Sequence, residues 1–173
     1  VVLFVPLYQI AGLMLAMLLN SSSRGLALFR TVYFIPSAIG GTALSIIWTH
    51  IFDGKYGVLN AVLAPVTRLV GLEPPDWFGI DASRYAVPGL VLMGLWGVGG
   101  GMLIYLGGLK GSSTTLYEAA AIDGAGHWRR FWNITVPMIS PLILFNVVMG
   151  LIIGLQVFAQ VYVFAEAVSN QST

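Results

Sequence analysis

The sequence predicts an all-α protein, a polytopic bundle of helices that cross a lipid bilayer. Hydrophobic residues make up 57% of its 173 residues and charged residues 9%, whereas soluble domains carry about 25% charged residues. A mean hydropathy of +0.86 would need a larger core than a soluble chain of this length can enclose. Four segments approach the roughly 20 apolar residues that one spanning helix needs, so we expect about four spans.

The first two predicted spans are segment A, residues 1–20, and segment B, residues 31–52. Segment A contains no Asp, Glu, Lys or Arg. Segment B carries Pro36, Gly40 and Gly41, which predict an irregular first half. Irregular backbone at membrane depth is tolerated only where protein or a cavity surrounds it.

Residues 53–84 are predicted to form a loop outside the membrane. This stretch is amphipathic and proline-broken, and it holds one short predicted helix at residues 58–70. Trp48, His50 and Trp77 are expected to anchor the membrane interface, where amphipathic rings accumulate, rather than to act as ligands.

The third predicted span, segment C at residues 85–109, is rich in glycine. Gly97 and Gly101 form a small-xxx-small pair, which lets two helices approach closely in lipid. The glycine run at residues 99–101 is also expected to loosen the helix near the middle of the membrane. Plain helix packing and a lining of the solute path are both open interpretations of these glycines.

The fourth predicted span, segment D, covers residues 140–164, with Pro137 and Pro141 marking its beginning. Its uncharged polar groups at membrane depth are expected to face a cavity or another helix. Two interpretations remain open: an interhelical hydrogen bond, or a cavity whose amides bind the hydroxyl groups of a solute. Helical spacing places these groups on one stripe, which consists of Asn146, Gly150, Ile153, Val157 and Gln160, with Gln156 on its flank.

The most polar continuous stretch lies between segments C and D. We expect it to begin as a short helix capped by Thr114 or Thr115, with Glu118 in the first turn, where the helix dipole favours an anion. The alanines at residues 119–121 leave a low surface for close packing against another protein. Gly124 is expected to turn the chain.

The distribution of basic residues predicts the orientation in the membrane. Positive residues are enriched in cytoplasmic loops, so the side with more of them is predicted to be cytoplasmic. This places the loop at residues 53–84 outside. The basic residues on the predicted cytoplasmic side are Arg24, Arg30, Lys110, Arg129 and Arg130, and those on the other side are Lys55, Arg68 and Arg84.

The polar stretch carries the pattern Glu118-Ala119-Ala120, Gly124, Ile134 and Pro137, with Val136 where a leucine is usual. This pattern resembles the permease subunits of binding-protein-dependent ABC importers. The extended form, Leu-Tyr-Glu-Ala-Ala-x-Ile-Asp-Gly-Ala-Gly, is similar to their sugar branch, in particular to the maltose- and lactose-type first permease subunit. The resemblance continues at residues 29–36, 56–60 and 156–158.

The resemblance implies the ABC type I importer permease fold over residues 1–173, incomplete at both ends. It implies that residues 114–132, here called the coupling loop, dock on a partner ATPase in the cytoplasm. The expected docking residues are Leu116, Tyr117, Glu118, Ala119, Ala120, Asp123, Gly124 and Pro137. The expected solute path is lined by Met93, Trp96, Gly97, Gly100, Asn146, Gly150, Ile153, Gln156 and Gln160.

The resemblance further implies a multi-pass protein of a bacterial or archaeal cytoplasmic membrane. The expected partners are ATPase subunits that hold ATP and magnesium, a second permease subunit, an extracytoplasmic solute-binding protein, membrane lipid and a sugar-like solute. The chain itself is expected to bind no cofactor, metal or nucleic acid and to catalyse no reaction. Its glycine run lacks the lysine and the strand–loop–helix setting of a phosphate-binding loop.

Two alternatives stay open. The same fold would also suit glycerol phosphate, a polyol or another small solute as cargo. An ATP-independent channel or secondary transporter is an alternative of a different class. Against it, no Asp, Glu, Lys or Arg lies within the four predicted spans, where coupled transporters carry ion or proton relays, and His50 lies near the outer end of segment B.

Overall fold

A computed structural model of the chain describes residues 2–21, 25–54, 56–69, 71, 77, 82–156 and 162. Within these ranges every regular element is a helix, which confirms the all-α prediction. In chain order the elements are α1 (Phe4–Leu18), α2 (Leu26–Ala38), α3 (Gly41–Ile51), α4 (Val58–Leu69), α5 (Ala82–Trp96), α6 (Gly99–Lys110), α7 (Thr114–Ile122), α8 (His127–Arg130), a π-helix (Phe131–Thr135) and α9 (Val136–Leu155).

The chain divides into two compact units. Unit 1 comprises Val1–Ala38 and Gly97–Gly154, and so contains α1, α2 and the chain from α6 to α9. Unit 2 comprises Ile39–Trp96 and Leu155–Thr173, and contains α3, α4 and α5. Each unit has its own apolar core.

In unit 1, α6 lies at the centre because its glycines admit three neighbouring helices. A Cβ atom on Gly99 would collide with the backbone carbonyl of Tyr33 in α2. A Cβ on Gly101 would lie 3.0 Å from the Tyr8 ring of α1, and one on Gly108 would meet Leu142 of α9. The buried core around these contacts consists of Ala16, Leu19, Met102, Tyr105, Leu106, Leu109 and Ile139.

Arg30 fastens the end of α1 to α2. Its Nη2 donates to the carbonyl oxygen of Leu19 at 2.6 Å and to that of Ser21 at 2.9 Å, and its Nε donates to Leu19 at 3.2 Å. The last carbonyls of a helix have no partner within the helix, and a basic side chain satisfies them favourably. Arg30 therefore closes the turn between the two helices.

Unit 2 is held by an aromatic core of Trp48, Phe52 and Trp77, with Met93 packed among them. The Trp77 Nε1 donates to the Asn60 Oδ1 at 2.9 Å. Trp48 and Trp77 are only 7% and 9% exposed, so the prediction that they anchor the membrane interface is wrong within this unit. Burial against other rings and, for Trp77, a partner for the indole N–H account for the difference.

The described helices differ in length from the four predicted spans. Among the described residues, His127–Leu155 is the one helix long and apolar enough to cross a membrane alone: it has 29 residues and contains an 18-residue window of mean hydropathy 2.3. Segments B and C each appear as two consecutive helices, and the two helices of each pair together have the length and apolar composition of one membrane span. Segment A forms α1, an apolar helix of 15 residues.

The interruptions of segments B and C lie close to the glycines that predicted them. Segment B breaks at residues 39–40 and α3 begins at Gly41. Segment C breaks at residues 97–98, whereas the glycine run 99–101 opens α6 instead of disrupting it. Pro36 does not break its helix: it lies inside α2, two residues before the end, and is buried.

The last span begins earlier than predicted. Residues 127–155 form one continuous helical stretch, so Pro137 and Pro141 lie inside it and do not mark its beginning. In this stretch the Val136 N–H donates to the Phe131 carbonyl in a π-turn, immediately before Pro137. Proline lacks an N–H and crowds the carbonyl four residues earlier, and we attribute its tolerance here to the wider π-turn.

Candidate functional site

Helix α7 carries most of the predicted docking residues and stands away from the core. None of its nine residues is buried. Leu116 and Ile122 are 49% and 88% exposed, although both are large and apolar. Glu118 and Ala119 are also exposed, whereas Tyr117 and Ala120 are half-buried. The helix therefore offers an accessible apolar and acidic surface.

The beginning of α7 differs from the prediction. Ser113 occupies the N-cap position without a side-chain cap hydrogen bond, and Thr114 is already the first helical residue. The Ser113 hydroxyl instead lies 2.6 Å from that of Thr115. Glu118 is consequently the fifth residue of the helix and not part of the first turn, so the predicted dipole contact is absent there.

Gly124 ends α7 as predicted. Its φ of 72° is left-handed, a conformation that glycine adopts without a steric penalty. The Gly124 N–H donates to Ala121 at 3.1 Å and the Ala125 N–H donates to Ala120 at 2.8 Å, which together form a Schellman motif. Gly126 follows in an extended conformation at the N-cap of α8.

The inner side of α7 borders a cavity of about 550 Å³ within unit 1. Arg130 lies on the opposite wall, and its Nε is buried without a hydrogen-bond partner among the described residues. The Tyr117 hydroxyl lies 2.9 Å from the Thr135 Oγ1. The cavity is lined by Met17, Asn20, Leu109, Ser112, Thr114, Tyr117, Glu118, Ala121, Arg130 and Thr135.

The structure gathers basic residues at this end of unit 1. The cavity is lined by residues from the end of α1, the end of α6 and the end of α8. Lys110 ends α6, Arg129 and Arg130 lie in α8, and Arg30 binds the carbonyl that follows α1. Four of the five basic residues assigned to the cytoplasmic side therefore share one end, and the fifth, Arg24, lies outside the described residues.

In the interior of unit 1, Asn146 lies against α6 and Gly150 against α1. Asn146 is 3% exposed and lies beside the Tyr105 hydroxyl, but its Nδ2 has no hydrogen-bond partner in the described part of the chain. A Cβ on Gly150 would lie 3.3 Å from the Gln9 Nε2. The Tyr105 hydroxyl donates to the Gln9 Oε1 at 2.6 Å. These surroundings favour the interhelical interpretation of this half of the stripe.

The glycines of segment C are occupied by neighbouring side chains. The Tyr8 hydroxyl donates to the Gly97 carbonyl at 3.3 Å, and a Cβ on Gly100 would lie 3.7 Å from the Ser37 side chain. Both contacts favour the packing interpretation for Gly97 and Gly100. Their role in a solute path stays a prediction.

The remaining path residues have varied surroundings. Met93 is 4% exposed in the aromatic core of unit 2, and Trp96 is 40% exposed with its ring 5.5 Å from that of Trp48. Ile153 and Gln156 are exposed, with Gln156 just beyond α9. Gln160 lies outside the described residues. Of the predicted path residues, the structure brings Asn146 and Gly150 together. A solute path lined by all of the predicted residues stays a prediction.

Sequence reasoning missed Gln9, Tyr105 and Thr135. Tyr8 and Gln9 are the only polar side chains in α1, and an isolated polar pair within an apolar span is a signal that would have drawn attention to this position. Thr135 carries no comparable signal, because its importance arises from the π-helix that places it opposite Tyr117. Among the described residues, no three His, Asp or Glu side chains form a group that would hold a metal ion.

The sequence profile of the family described as "binding-protein-dependent transport system inner membrane component" matches residues 10–170. The chain belongs to this family. As a member it is a membrane protein of the permease-subunit type, with the ABC type I importer permease fold. The match confirms the family, the fold and the transport class that the pattern in the coupling loop predicted.

Several characterised or inferred permeases are similar to the chain. The probable ABC transporter permease YesP of Bacillus subtilis is 38% identical over 164 residues, which cover 94% of the chain and 51% of YesP. The lactose permease LacF of Rhizobium radiobacter is 35% identical over 94% of the chain and 53% of its own length. The trehalose/maltose permease MalF of Thermococcus litoralis is 32% identical over 92% of the chain and 52% of its own length. The chain spans about half the length of these curated relatives.

Solved structures share the fold of this permease domain. A bacterial ABC transporter involved in import of the acidic polysaccharide alginate matches with a TM-score of 0.68 at 23% identity, over 82% of the chain and 48% of the matched chain. The alginate transporter in complex with its pentasaccharide-bound periplasmic protein gives 0.70 at 22% identity, over 87% and 52%. At this level of identity the likeness concerns the fold alone.

Proposed function

We propose that this permease domain transmits the movements of an ATPase partner to a translocation path for a sugar or sugar-like solute. The coupling loop at residues 114–132 docks on that partner in the cytoplasm. One observation carries the proposal: α7 bears the family pattern on a helix without any buried residue, at the end of unit 1 where the basic residues gather. An accessible apolar and acidic helix at that position is suited to bind a partner with a complementary groove.

The names of the relatives support a small, hydroxyl-rich cargo. Trehalose/maltose and lactose appear in two of them, and a third, 33% identical over 144 residues, is the sn-glycerol-3-phosphate permease UgpA of Yersinia pestis. Gln156 is exposed beyond α9, and its amide both donates and accepts hydrogen bonds, as a hydroxyl-bearing solute requires. Glycerol phosphate or a polyol remains the alternative cargo.

The same proposal specifies the partners and the location. ATP and magnesium bind to the ATPase subunits, and this chain contributes passage and transmission without bond chemistry. A second permease subunit completes the path, and a solute-binding protein delivers the cargo from outside. The domain crosses a bacterial or archaeal cytoplasmic membrane several times in contact with lipid, with residues 53–84 outside.

Two glycines of the coupling loop provide a matched test of docking. A Cβ would meet nothing within 4 Å at either Gly124 or Gly126, but only Gly124 has a positive φ. Gly124→Val is therefore expected to misdirect the loop and abolish solute-stimulated ATP hydrolysis by the assembled transporter. Gly126→Val, of equal size, is expected to retain most of it.

The measurement is ATP hydrolysis by the purified full-length transporter, with and without the loaded solute-binding protein. Membrane insertion of each variant is checked by its yield in the membrane fraction. Normal stimulation in Gly124→Val, or an equal loss in both variants, would contradict docking through this turn. Solute uptake that persists without any ATPase subunit would instead favour a channel or a secondary transporter.

A further inference from the structure

The way α7 is held differs from that of every other long helix in unit 1. It has no buried residue, so apolar packing does little to fix it. The chain enters it through residues 111–113 and leaves it through the turn at Gly124. Among the residues that the structure describes, the contact between the Tyr117 hydroxyl and the Thr135 Oγ1 is the only side-chain hydrogen bond from α7 to another element.

The partner in this contact lies at a special position of the last span. Thr135 is 6% exposed and is the final residue of the π-helix, directly before the 20 residues of α9. π-turns that interrupt α-helices are frequent at functional sites. A displacement of Tyr117 is thus applied to α9 at the turn where its regular hydrogen bonding begins.

The cavity beside this contact leaves α7 room to move. Its volume is about 550 Å³, and both Tyr117 and Thr135 belong to its wall. Since empty space replaces packed side chains on that side, a tilt of α7 meets little steric resistance there. A hydrogen bond imposes a distance and a direction, so this contact can transmit a movement that loose packing would absorb.

We propose that the Tyr117–Thr135 hydrogen bond is the positioning contact that links the docked coupling loop to the last span. The inference rests on the proposed docking function and deepens it. It gives Tyr117 a role different from that of its neighbour Leu116: the Tyr117 hydroxyl faces the permease interior, while Leu116, 49% exposed, remains available to the partner. Thr135 acts through Tyr117 and touches neither solute nor nucleotide.

The test is a double-mutant cycle in the assembled full-length transporter. Thr135→Val and Tyr117→Phe each remove one hydroxyl and keep the shape of the side chain. Each is expected to lower the ratio of solute-stimulated to basal ATP hydrolysis about two- to tenfold, the range that one lost hydrogen bond represents. The double variant is expected to fall no further than either single one, because both remove the same bond.

Two control variants separate transmission from general stability. Thr135→Ser keeps a hydroxyl and is expected to retain most of the stimulation. Ser113→Ala removes an exposed hydroxyl directly before the coupling loop and is expected to behave like the parent protein. The thermal midpoint and the concentration of loaded binding protein for half-maximal stimulation are measured in parallel, and both are expected to stay near the parent values.

Several results would overturn the proposal. These are an unchanged ratio in Thr135→Val, single effects that multiply in the double variant, a loss in Thr135→Ser equal to that in Thr135→Val, or a loss that only follows a lower thermal midpoint. If Gly124→Val abolishes stimulation while Thr135→Val does not, docking holds and only the positioning contact fails. If Gly124→Val also keeps stimulation, docking fails, and this proposal fails with it.

Discussion

At the scale of single residues, the glycines of α6 have opposite requirements although they share one helix. Gly99 lies where a Cβ would collide with the Tyr33 carbonyl, whereas a Cβ on Gly107 would meet nothing within 4 Å. The obstacle at Gly99 is backbone, which cannot rotate away as a side chain can. The sequence indicates close packing somewhere in this run, but only the neighbouring helix decides which glycine is indispensable.

The pair Gly99→Ala and Gly107→Ala tests this difference. Gly99→Ala is expected to destabilise the protein by about 1–3 kcal/mol, the usual cost of overpacking. Gly107→Ala is expected to be neutral or stabilising, since alanine favours a helix over glycine by roughly 0.5–1 kcal/mol. Thermal denaturation of the detergent-purified subunit measures both. Equal midpoints for the two variants would mean that α2 and α6 do not approach each other so closely.

At the scale of elements, α9 separates two groups of polar residues that the sequence placed on one stripe. Asn146 is buried beside Tyr105 of α6 and Gly150 lies against Gln9 of α1, so this half of the stripe faces neighbouring helices. Gln156 is exposed past the end of the helix. Helical periodicity placed Asn146 and Gly150 on one face, as the structure has them, but it does not reveal whether a neighbouring helix or a solute covers a given part of the stripe.

Substitution of the two amides by leucine is expected to distinguish these roles. Gln156→Leu removes a donor and an acceptor for the solute and is expected to raise the concentration for half-maximal uptake about five- to 150-fold, which corresponds to roughly 1–3 kcal/mol. Asn146→Leu is expected to lower the thermal midpoint, with little change in that concentration. Uptake at matched expression and a thermal assay measure both. A reversal of the two patterns would exchange their roles.

The limits of sequence prediction are clearest at the beginning of the last span. Residues 127–137 are the polar end of a helix, and their charge and Pro137 suggested a loop. The helix continues through this region because a π-turn precedes the proline. No local sequence pattern predicts that π-turn. By contrast, the turn at Gly124 was predictable because the requirement for a left-handed residue is local. The Tyr117–Thr135 contact joins residues 18 positions apart, so it could be identified only from the folded structure.

At the scale of the whole molecule, the charges predict the orientation in the membrane. Arg30, Lys110, Arg129 and Arg130 share one end of unit 1, and positive residues are enriched on the cytoplasmic side. The sequence predicted this asymmetry from loop composition, and the structure shows that the residues concerned meet in space. The all-α fold and the family were predictable for a similar reason, since composition and a contiguous motif carry them.

Two cysteine variants are expected to report this orientation. The chain contains no cysteine, and Tyr56 and Ile122 are equally accessible, at 89% and 88% exposure. In intact cells, an impermeant thiol reagent is expected to label Tyr56→Cys and to spare Ile122→Cys. Both are expected to react after the membrane is permeabilised, which controls for accessibility. Labelling of Ile122→Cys alone in intact cells would reverse the orientation and contradict cytoplasmic docking.

The π-helix at residues 131–135 also sets the angular phase of the chain that precedes it. Each residue turns an α-helix by about 100°, and a π-turn holds one extra residue within the same turn. Relative to α9, the preceding α8 is therefore rotated by about 100° from where an uninterrupted helix would carry it, and in this phase Arg130 borders the cavity. Loss of a single residue here would convert the π-turn into an ordinary α-turn and would leave Arg130 in the same phase. A change that keeps the number of residues but removes the π-turn would instead rotate Arg130 away from α7. In this segment the type of turn sets the direction in which the side chains before it point.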